Sequence, residues 1–524
     1  MSSDLTTTPS EPSSERHRGA FSSRTVFILA AIGSAVGLGN IWRFPYVAYE
    51  NGGGAFIIPY LVALLTAGIP FLLLDYAVGH KQRGSAPLSF ARIRRGAEGL
   101  GWWQVGICFL IAVYYAAVIA WAVRYTVFSV DKAWGDDPEA YFFGSFLEAG
   151  DPGVTFDFVP GVIIPLALVW LAVAVIMALG VQRGVGLTSL FAMPVLLLAF
   201  TALVVQALLL DGAAEGLNAL FTPDWGALLD AGVWAAAFGQ IFFSLSIGFG
   251  IMITYASYVD RKTDMTGSGL VVGLSNSSFE ILAGIGVFAA LGFMAQANGV
   301  AVGDVASDGI GLAFIAFPTI INEAPAGALL GLLFFGSLVI AGLTSMISIL
   351  EVVISAVRDK FEMTRMAATM SVMVPTALLS LAMFSTTSGI YVLDIVDHFI
   401  NRYGILVVAV VSMLVLAWVA RALPDLAAHL NVYGVPRIGR TWIVLMSVVT
   451  PLVLTGVLLQ ELWTDATEPY EGYPGWMLGL FGWAGAVLVA VLGFVLARIS
   501  WRSGTALDTQ PSPSMSTHSE GGRR

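Results

Sequence analysis

The stretch AAIGSAVGLGNIWRFPYVAYENGGG, residues 30–54, lies where an apolar window calls for a membrane helix, yet it holds Gly33, Gly37, Gly39, Asn40, Arg43 and Pro45. Glycine lowers the cost of unwinding and lets a ligand approach the backbone. An arginine within the hydrocarbon itself costs roughly 2.5–3.5 kcal/mol on insertion scales. A crossing built from such residues is a poor lipid-facing helix and a good candidate for a broken one.

The surrounding composition fixes the solvent. The 524-residue chain is 57 % hydrophobic and only 11 % charged, with a mean hydropathy of +0.82. A soluble domain is about one quarter charged, and a helix needs roughly 20 apolar residues to cross a bilayer. That window predicts twelve spans: 24–49, 55–79, 101–130, 160–180, 188–210, 234–258, 270–296, 327–358, 366–385, 390–421, 441–463 and 475–500. The expected fold class is an all-α polytopic membrane protein, in which helices satisfy their own backbone groups; the alternation of a β-barrel is absent. The segment 1–20 is polar and rich in Ser, Pro and Glu, without the apolar core of a signal peptide. The segment 502–524 is similarly Ser-rich, and both read as disordered tails. Cys108, the single cysteine, cannot form an intrachain disulfide and reads as a buried structural thiol.

The net charge of −10 is distributed by side. Acidic residues crowd 131–157, 211–215 and 464–472, whereas Lys and Arg crowd the opposite loops, notably KQRGSAPLSFARIRR (81–95). Only Arg43, Arg124, Lys132 and Arg402 of the 25 basic residues fall elsewhere. The positive-inside rule then places both termini in the cytoplasm of a multi-pass protein of the plasma (cell) membrane, and an even number of spans agrees.

A second span is broken in the same manner. Span 6 carries FFSLSIGFG (242–250), with a G-x-G near its middle like the GSAVGLGN of span 1. Five spans separate the two, so they run in opposite directions, as in a 5+5 inverted repeat with broken helices 1 and 6. Unwound carbonyls at this depth can coordinate a cation, while exposed N–H groups meet an anion. Close helix packing accounts for a lone G-x-G; it does not account for paired breaks followed by Asn40 and Arg43.

Taken in order, GSAVGLGNIWRFPYVAYENGGGAFIIPY (33–60), YYAAVIAWAVRY (114–125), GQIFFSLSIGFGIMITYASY (239–258), AGLTSMISILE (341–351) and LDIVDHF (393–399) closely resemble the neurotransmitter:sodium symporter (SNF) family. The likeness is strongest to prokaryotic amino-acid transporters with the leucine-transporter fold. It covers roughly residues 18–421 and implies a ten-helix transport core over 21–421, with peripheral helices 11 and 12 over 436–501.

The resemblance implies two sodium ions. Site one would use Ala35, Asn40, Ser244 and Asn276, with serine at 244 where leucine-transporter relatives have threonine. Site two would use Gly33, Val36, Ala341, Thr344 and Ser345. Oxygen ligands without full negative charge suit a hard monovalent cation. Read singly, Thr344 and Ser345 are hydroxyls that bond back to their own helix. The substrate site would comprise Ala35, Leu38, Gly39, Ile111, Tyr115, Phe243, Ser246, Phe249, Ser345 and Ile349. The amides of Leu38 and Gly39 and the Tyr115 hydroxyl would hold an α-carboxylate, and span 6 carbonyls the amine. Monoamine members carry aspartate at the position of Gly37, so glycine implies a substrate that brings its own carboxylate. The pocket set contains no charged side chain, which points to a neutral, apolar amino acid.

Gates follow by the same carry-over: Arg43 with Asp397 on the outer side, and Arg18 with Asp359 near Phe21, Ser257 and Tyr258 on the inner side. Glu280 lies four residues beyond Asn276, on the same helical face. Chloride-dependent animal members have serine there; Glu280 would supply the chloride's charge, implying chloride independence and a possible proton return step. GVGLTSLFAMP (184–194) matches the Gly-x9-Pro element that unwinds in some relatives, although a proline at a helix entry explains Pro194 as well.

These readings combine into a sodium-coupled importer of a neutral, hydrophobic amino acid working by alternating access. Its partners are the substrate, sodium and the lipid bilayer, with no nucleic acid. An amino-acid sensor with little transport is an alternative, as is an aromatic or other small amino-acid cargo. An enzyme is not expected, because the five histidines show neither metal spacing nor a nucleophile partner.

Overall fold

The computed structural model describes residues 20–306, 309–502, 505 and 507. Among them, ten helices are long and apolar enough to cross a membrane: α3 (Gly54–Gln82), α5 (Arg95–Phe128), α6 (Pro160–Ala178), α7 (Val181–Leu208), α11 (Met265–Asn298), α13 (Gly327–Phe361), α14 (Arg365–Phe384), α15 (Gly389–Val419), α17 (Arg440–Gly472) and α18 (Gly475–Ala497). The bent pair α1 (Arg24–Ala35) and α2 (Leu38–Glu50) passes the same test of length and apolarity when taken together as one broken span. Shorter helices intervene: α4 (Ala86–Ile93), α8 (Ala213–Phe221), α9 (Ala231–Ser244), α10 (Ile251–Ala256), α12 (Gly309–Glu323) and α16 (Leu423–Leu430). The span expected over 234–258 is therefore not one continuous helix; it divides into α9 and α10 around residues 245–250. The chain is an all-α, polytopic membrane protein.

Local sequence explains where the helices start and stop. Ser23 caps α1 by accepting the Val26 amide at 3.3 Å. After Ala35 the backbone turns by 59° before α2. The Asn40 carboxamide reaches back to the Gly37 N–H at 2.9 Å, one half of a capping box that restarts the helix. Between α9 and α10, Ser246, Gly248 and Gly250 all take left-handed backbone angles (φ 52°, 86° and 89°). Glycine adopts these without a Cβ penalty, which is what the G-x-G of span 6 provides.

Helices α5 and α13 are the interior posts. Of their most apolar windows, 78 % and 83 % is buried, against 17 % for α18, which lies at the periphery. The end that carries the described termini is tied shut by side chains. Lys360 and Glu98 are both buried and paired at 2.5 Å; Trp102 and Trp501 also donate to Glu98, at 3.1 and 2.8 Å. Arg365 pairs with Glu351 at 2.7 Å, and the Tyr258 hydroxyl donates to the same carboxylate at 2.7 Å.

Candidate functional site

The break between α1 and α2 creates the site. In a continuous helix the amides of Gly37, Leu38 and Asn40 would bond the carbonyls of Gly33, Ser34 and Val36. Here Gly37 donates to Asn40 Oδ1, Leu38 to the Tyr115 hydroxyl at 3.4 Å, and Asn40 to the Gly37 carbonyl at 3.3 Å. The carbonyls of Gly33 and Val36 are thus released from helical bonding, and that of Ser34 accepts the hydroxyls of Ser246 (2.8 Å) and Ser345 (3.4 Å). The left-handed turn at Ser246 is what aims its hydroxyl across at α1.

A cavity of about 710 Å³ opens beside this break. Its inner end is lined by Ala35, Leu38, Gly39, Ile111, Tyr115, Phe243, Ser246, Phe249, Ser345 and Ile349, so the structure brings together every substrate-site residue expected from the sequence. It extends past Arg43 and Asp397 to Glu50, Glu471 and Tyr473 at the end of the bundle far from Arg24. Backbone approach is close. A Cβ on Gly39 would stand 2.1 Å from the Phe243 ring, and one on Gly37 3.2 Å from the Tyr115 hydroxyl and 3.6 Å from that of Ser345.

The expected ligands of sodium site one form a chain of carboxamides and hydroxyls. Asn40 Nδ2 donates to Asn276 Oδ1 at 2.9 Å, and Asn276 Nδ2 donates to Ser244 Oγ at 3.0 Å. Ser244 continues the chain to Glu280, which also accepts Gln240 Nε2 at 2.7 Å and the Tyr60 hydroxyl. Asn40, Ser244, Asn276 and Glu280 are all buried, so the Glu280 carboxyl group stands next to neutral oxygen donors from α2, α9 and α11. That donor set, hard oxygens with one nearby carboxylate, fits an alkali cation. The site-two residues meet as well: Thr344 Cβ stands 3.3 Å from where a Cβ on Gly33 would lie. The Thr344 hydroxyl, however, donates within its own helix, to Ile340 (3.1 Å) and Ala341 (3.0 Å). In this arrangement it follows the back-bonding reading, and its oxygen lone pairs remain the only means by which it could ligate.

Of the gates, Arg43 lies over the Phe243 ring, 4.7 Å from its centre. Asp397 faces the Arg43 and Arg402 guanidiniums and accepts hydrogen bonds from Tyr114 and Asn401. At the opposite end the Phe21 amide donates to the Tyr258 carbonyl at 3.2 Å, and the Phe21 ring packs against Tyr255 and Tyr258. Asp359 accepts the Ser85 amide at 2.9 Å. Arg18, its expected partner, lies outside the described residues, as do residues 1–19 of the expected N-terminal tail.

Several contributors escaped sequence reasoning. Asp75 accepts the Gly248 amide at 3.2 Å, holding the unwound segment of span 6. A carboxylate inside an apolar span is itself a signal, the same one that singled out Glu280. Ser34 and Ser348 join hydroxyl to hydroxyl at 2.8 Å beside the pocket. Cys108 is buried as expected, but its thiol also donates to the Phe249 carbonyl at 3.1 Å. Nothing local in the sequence announces those two contacts.

Known proteins match this chain over most of its length. A model of the sodium:neurotransmitter symporter family matches residues 18–142 and 133–503. An uncharacterized sodium-dependent transporter from Methanocaldococcus jannaschii is 40 % identical over 488 residues, 92 % of this chain and 97 % of the relative. The human sodium- and chloride-dependent GABA transporter 2 is 31 % identical, covering 93 % and 88 %. The Xenopus laevis sodium- and chloride-dependent glycine transporter 2 is 28 % identical, covering 90 % and 68 %. The chain belongs to the sodium:neurotransmitter symporter family and is a sodium-dependent transporter, not an enzyme.

Proposed function

We propose that this transporter imports a neutral, apolar α-amino acid with sodium by alternating access, independently of chloride, and that its termini face the cytoplasm. The observation that carries the reading is the cavity at the α1–α2 break. There the Tyr115 hydroxyl, which accepts the Leu38 amide at 3.4 Å, offers its own proton to a carboxylate, and Ile111, Phe243, Phe249 and Ile349 offer an apolar side-chain wall. The position of Gly37 supports the same conclusion, since a side chain there would extend toward the Tyr115 and Ser345 hydroxyls, 3.2 and 3.6 Å from its Cβ, into the carboxylate's place. Sodium at the Asn40–Asn276–Ser244 chain would organise the unwound segment and neutralise the substrate carboxylate beside it. Two of the expected carbonyl ligands of the second site, Gly33 and Val36, are released from helical bonding by the same break. Reciprocity then requires the substrate to tighten sodium binding by the same factor.

Chloride independence rests on Glu280. Its carboxyl group sits among Tyr60, Gln240, Ser244 and Asn276.

The test is uptake of a labelled panel (glycine, alanine, leucine, methionine, tryptophan, lysine, glutamate) into proteoliposomes, with sodium or potassium outside and chloride or gluconate as anion. Sodium-dependent uptake of neutral members, unchanged in gluconate, is expected. Uptake of lysine or glutamate ahead of the neutral members would overturn the substrate assignment, and loss in gluconate would overturn the chloride assignment.

A further inference from the structure

Next to the central pocket, toward the end that carries Arg95 and Arg498, three side chains are fully buried. None of them has a hydrogen-bond partner among the described residues. They are Gln104, through both Oε1 and Nε2, Ser85 through Oγ and Thr254 through Oγ1. Gln104 stands against Gly250, the left-handed residue that opens α10, and Ser85 and Thr254 are close to it along the chain. A Cβ at Gly250 would stand 3.3 Å from Gln104 Oε1 and 3.2 Å from Ala86, the residue after Ser85. Thr254 lies one turn along α10, its amide bonded to the Gly250 carbonyl at 3.0 Å. The preceding residue, Phe249, lines the central pocket, so one step of chain separates the pocket wall from this cluster.

A buried polar group without a partner is costly, and a well-packed interior keeps few of them. Leucine would fill the volume of Gln104 without that cost. Its carboxamide therefore has no evident use in the arrangement seen here, and the elements around it differ in how firmly they are held. Gln104 stands on the interior post α5. Gly250 and Thr254 belong to a six-residue half-helix behind an unwound segment, and Ser85 precedes the short α4. Parting α10 from α4 would expose one amide and two hydroxyls to whatever leaves the pocket.

We propose that Gln104, Ser85 and Thr254 form a second binding station, which receives the zwitterionic head of the departing amino acid on the inner side. The inference rests on the alternating-access reading above. The Nε2 group donates to the carboxylate, Oε1 accepts from the ammonium, and the two hydroxyls serve either. None carries a formal charge, so a zwitterion is recognised without the tight hold that a buried ion pair would give. Gln104 precedes the pocket residue Ile111 by seven residues on α5, about 10 Å at 1.5 Å per residue, and does not line the central pocket, so this is a station adjoining it on the inner side.

The experiment compares the two faces of the membrane, using tritiated alanine, leucine and tryptophan in right-side-out and inside-out vesicles. For Gln104→Leu, the KM measured from the inner face should rise about tenfold, as expected for loss of one or two hydrogen bonds, with the outer-face KM unchanged. Gln104→Asn, which keeps the carboxamide, should lie closer to wild type. Ser85→Ala and Thr254→Val should shift the inner KM in the same direction by less, and they decide the matter if Gln104→Leu does not fold. Equal shifts at both faces, or none at either, would overturn the station and leave the transport reading intact. Failure of the wild-type protein to move any of the three probes would overturn the transport reading and this inference with it.

Discussion

At Gly37 a single missing Cβ decides what the pocket can hold. Gly37→Asp would place a carboxylate near the Tyr115 and Ser345 hydroxyls, where the proposed binding mode puts the substrate's own carboxylate. Amino-acid uptake should fall at least a hundredfold in that variant, measured as initial rate; retained uptake would show that the carboxylate sits elsewhere. Asn40 ties the Gly37 amide at the break to Asn276 on α11, so Asn40→Ala should raise the sodium concentration for half-maximal uptake at least tenfold, the equivalent of about 1.4 kcal/mol or more. Glu280→Ser should convert chloride indifference into chloride dependence, read as uptake in chloride against gluconate. The Asp75–Gly248 contact makes a structural prediction: Asp75→Leu strands a buried N–H at a cost of about 1–3 kcal/mol, visible as a lower melting temperature in detergent. Residues on the broken segments were legible from sequence because glycine, asparagine and arginine are conspicuous in an apolar window. Ser34, Ser348 and Cys108 were not, because their partners stand on other helices 141 to 314 positions away.

Among the elements, the breaks matter more than the helices. The break after Ala35 was legible from its glycines and from Asn40, whose side chain restarts the helix. The division of the sixth span into α9 and α10 shows in sequence only as a G-x-G. That signal places the break without giving the left-handed turn at Ser246, a residue whose type does not favour it. The contact that ties α3 to α16 was illegible, since lone histidines at 80 and 429 carry no pattern. In the structure His80 Nδ1 and His429 Nε2 are 2.9 Å apart, and His80 Nε2 meets the Asp260 carbonyl at 2.9 Å. Burial first, and then the neighbouring His80, Lys81 and Arg261, hold His429 down at about 4, against an opposing effect of Asp425. The unfolded imidazole takes its proton near 6.5, so between those values the unfolded chain binds the extra proton and stability falls as pH falls. The melting temperature should therefore drop from pH 7 to pH 5, and His429→Gln should flatten that dependence. An unchanged slope in the variant would mean that other groups set it.

For the whole molecule, composition and charge asymmetry were enough to read a polytopic helical protein, and the order of motifs was enough to read its family. Which helices form the interior was not legible, because α5, α13 and α18 are all strongly apolar and differ only in their neighbours. The central claim also lives at this scale: an inward sodium gradient, acting through the oxygens at the α1–α2 and α9–α10 breaks, drives an amino acid uphill. Each sodium charge entering gains roughly 2.3 kcal/mol per 100 mV of membrane potential, so the interior-negative state should help as well. The most direct test is the steady-state ratio of labelled leucine or alanine inside and outside proteoliposomes under an imposed inward sodium gradient. The account expects accumulation above the external concentration that rises with an interior-negative potential, collapses when the gradient is dissipated, and is lost in Asn40→Ala. Equilibration to equal concentrations regardless of sodium would contradict it.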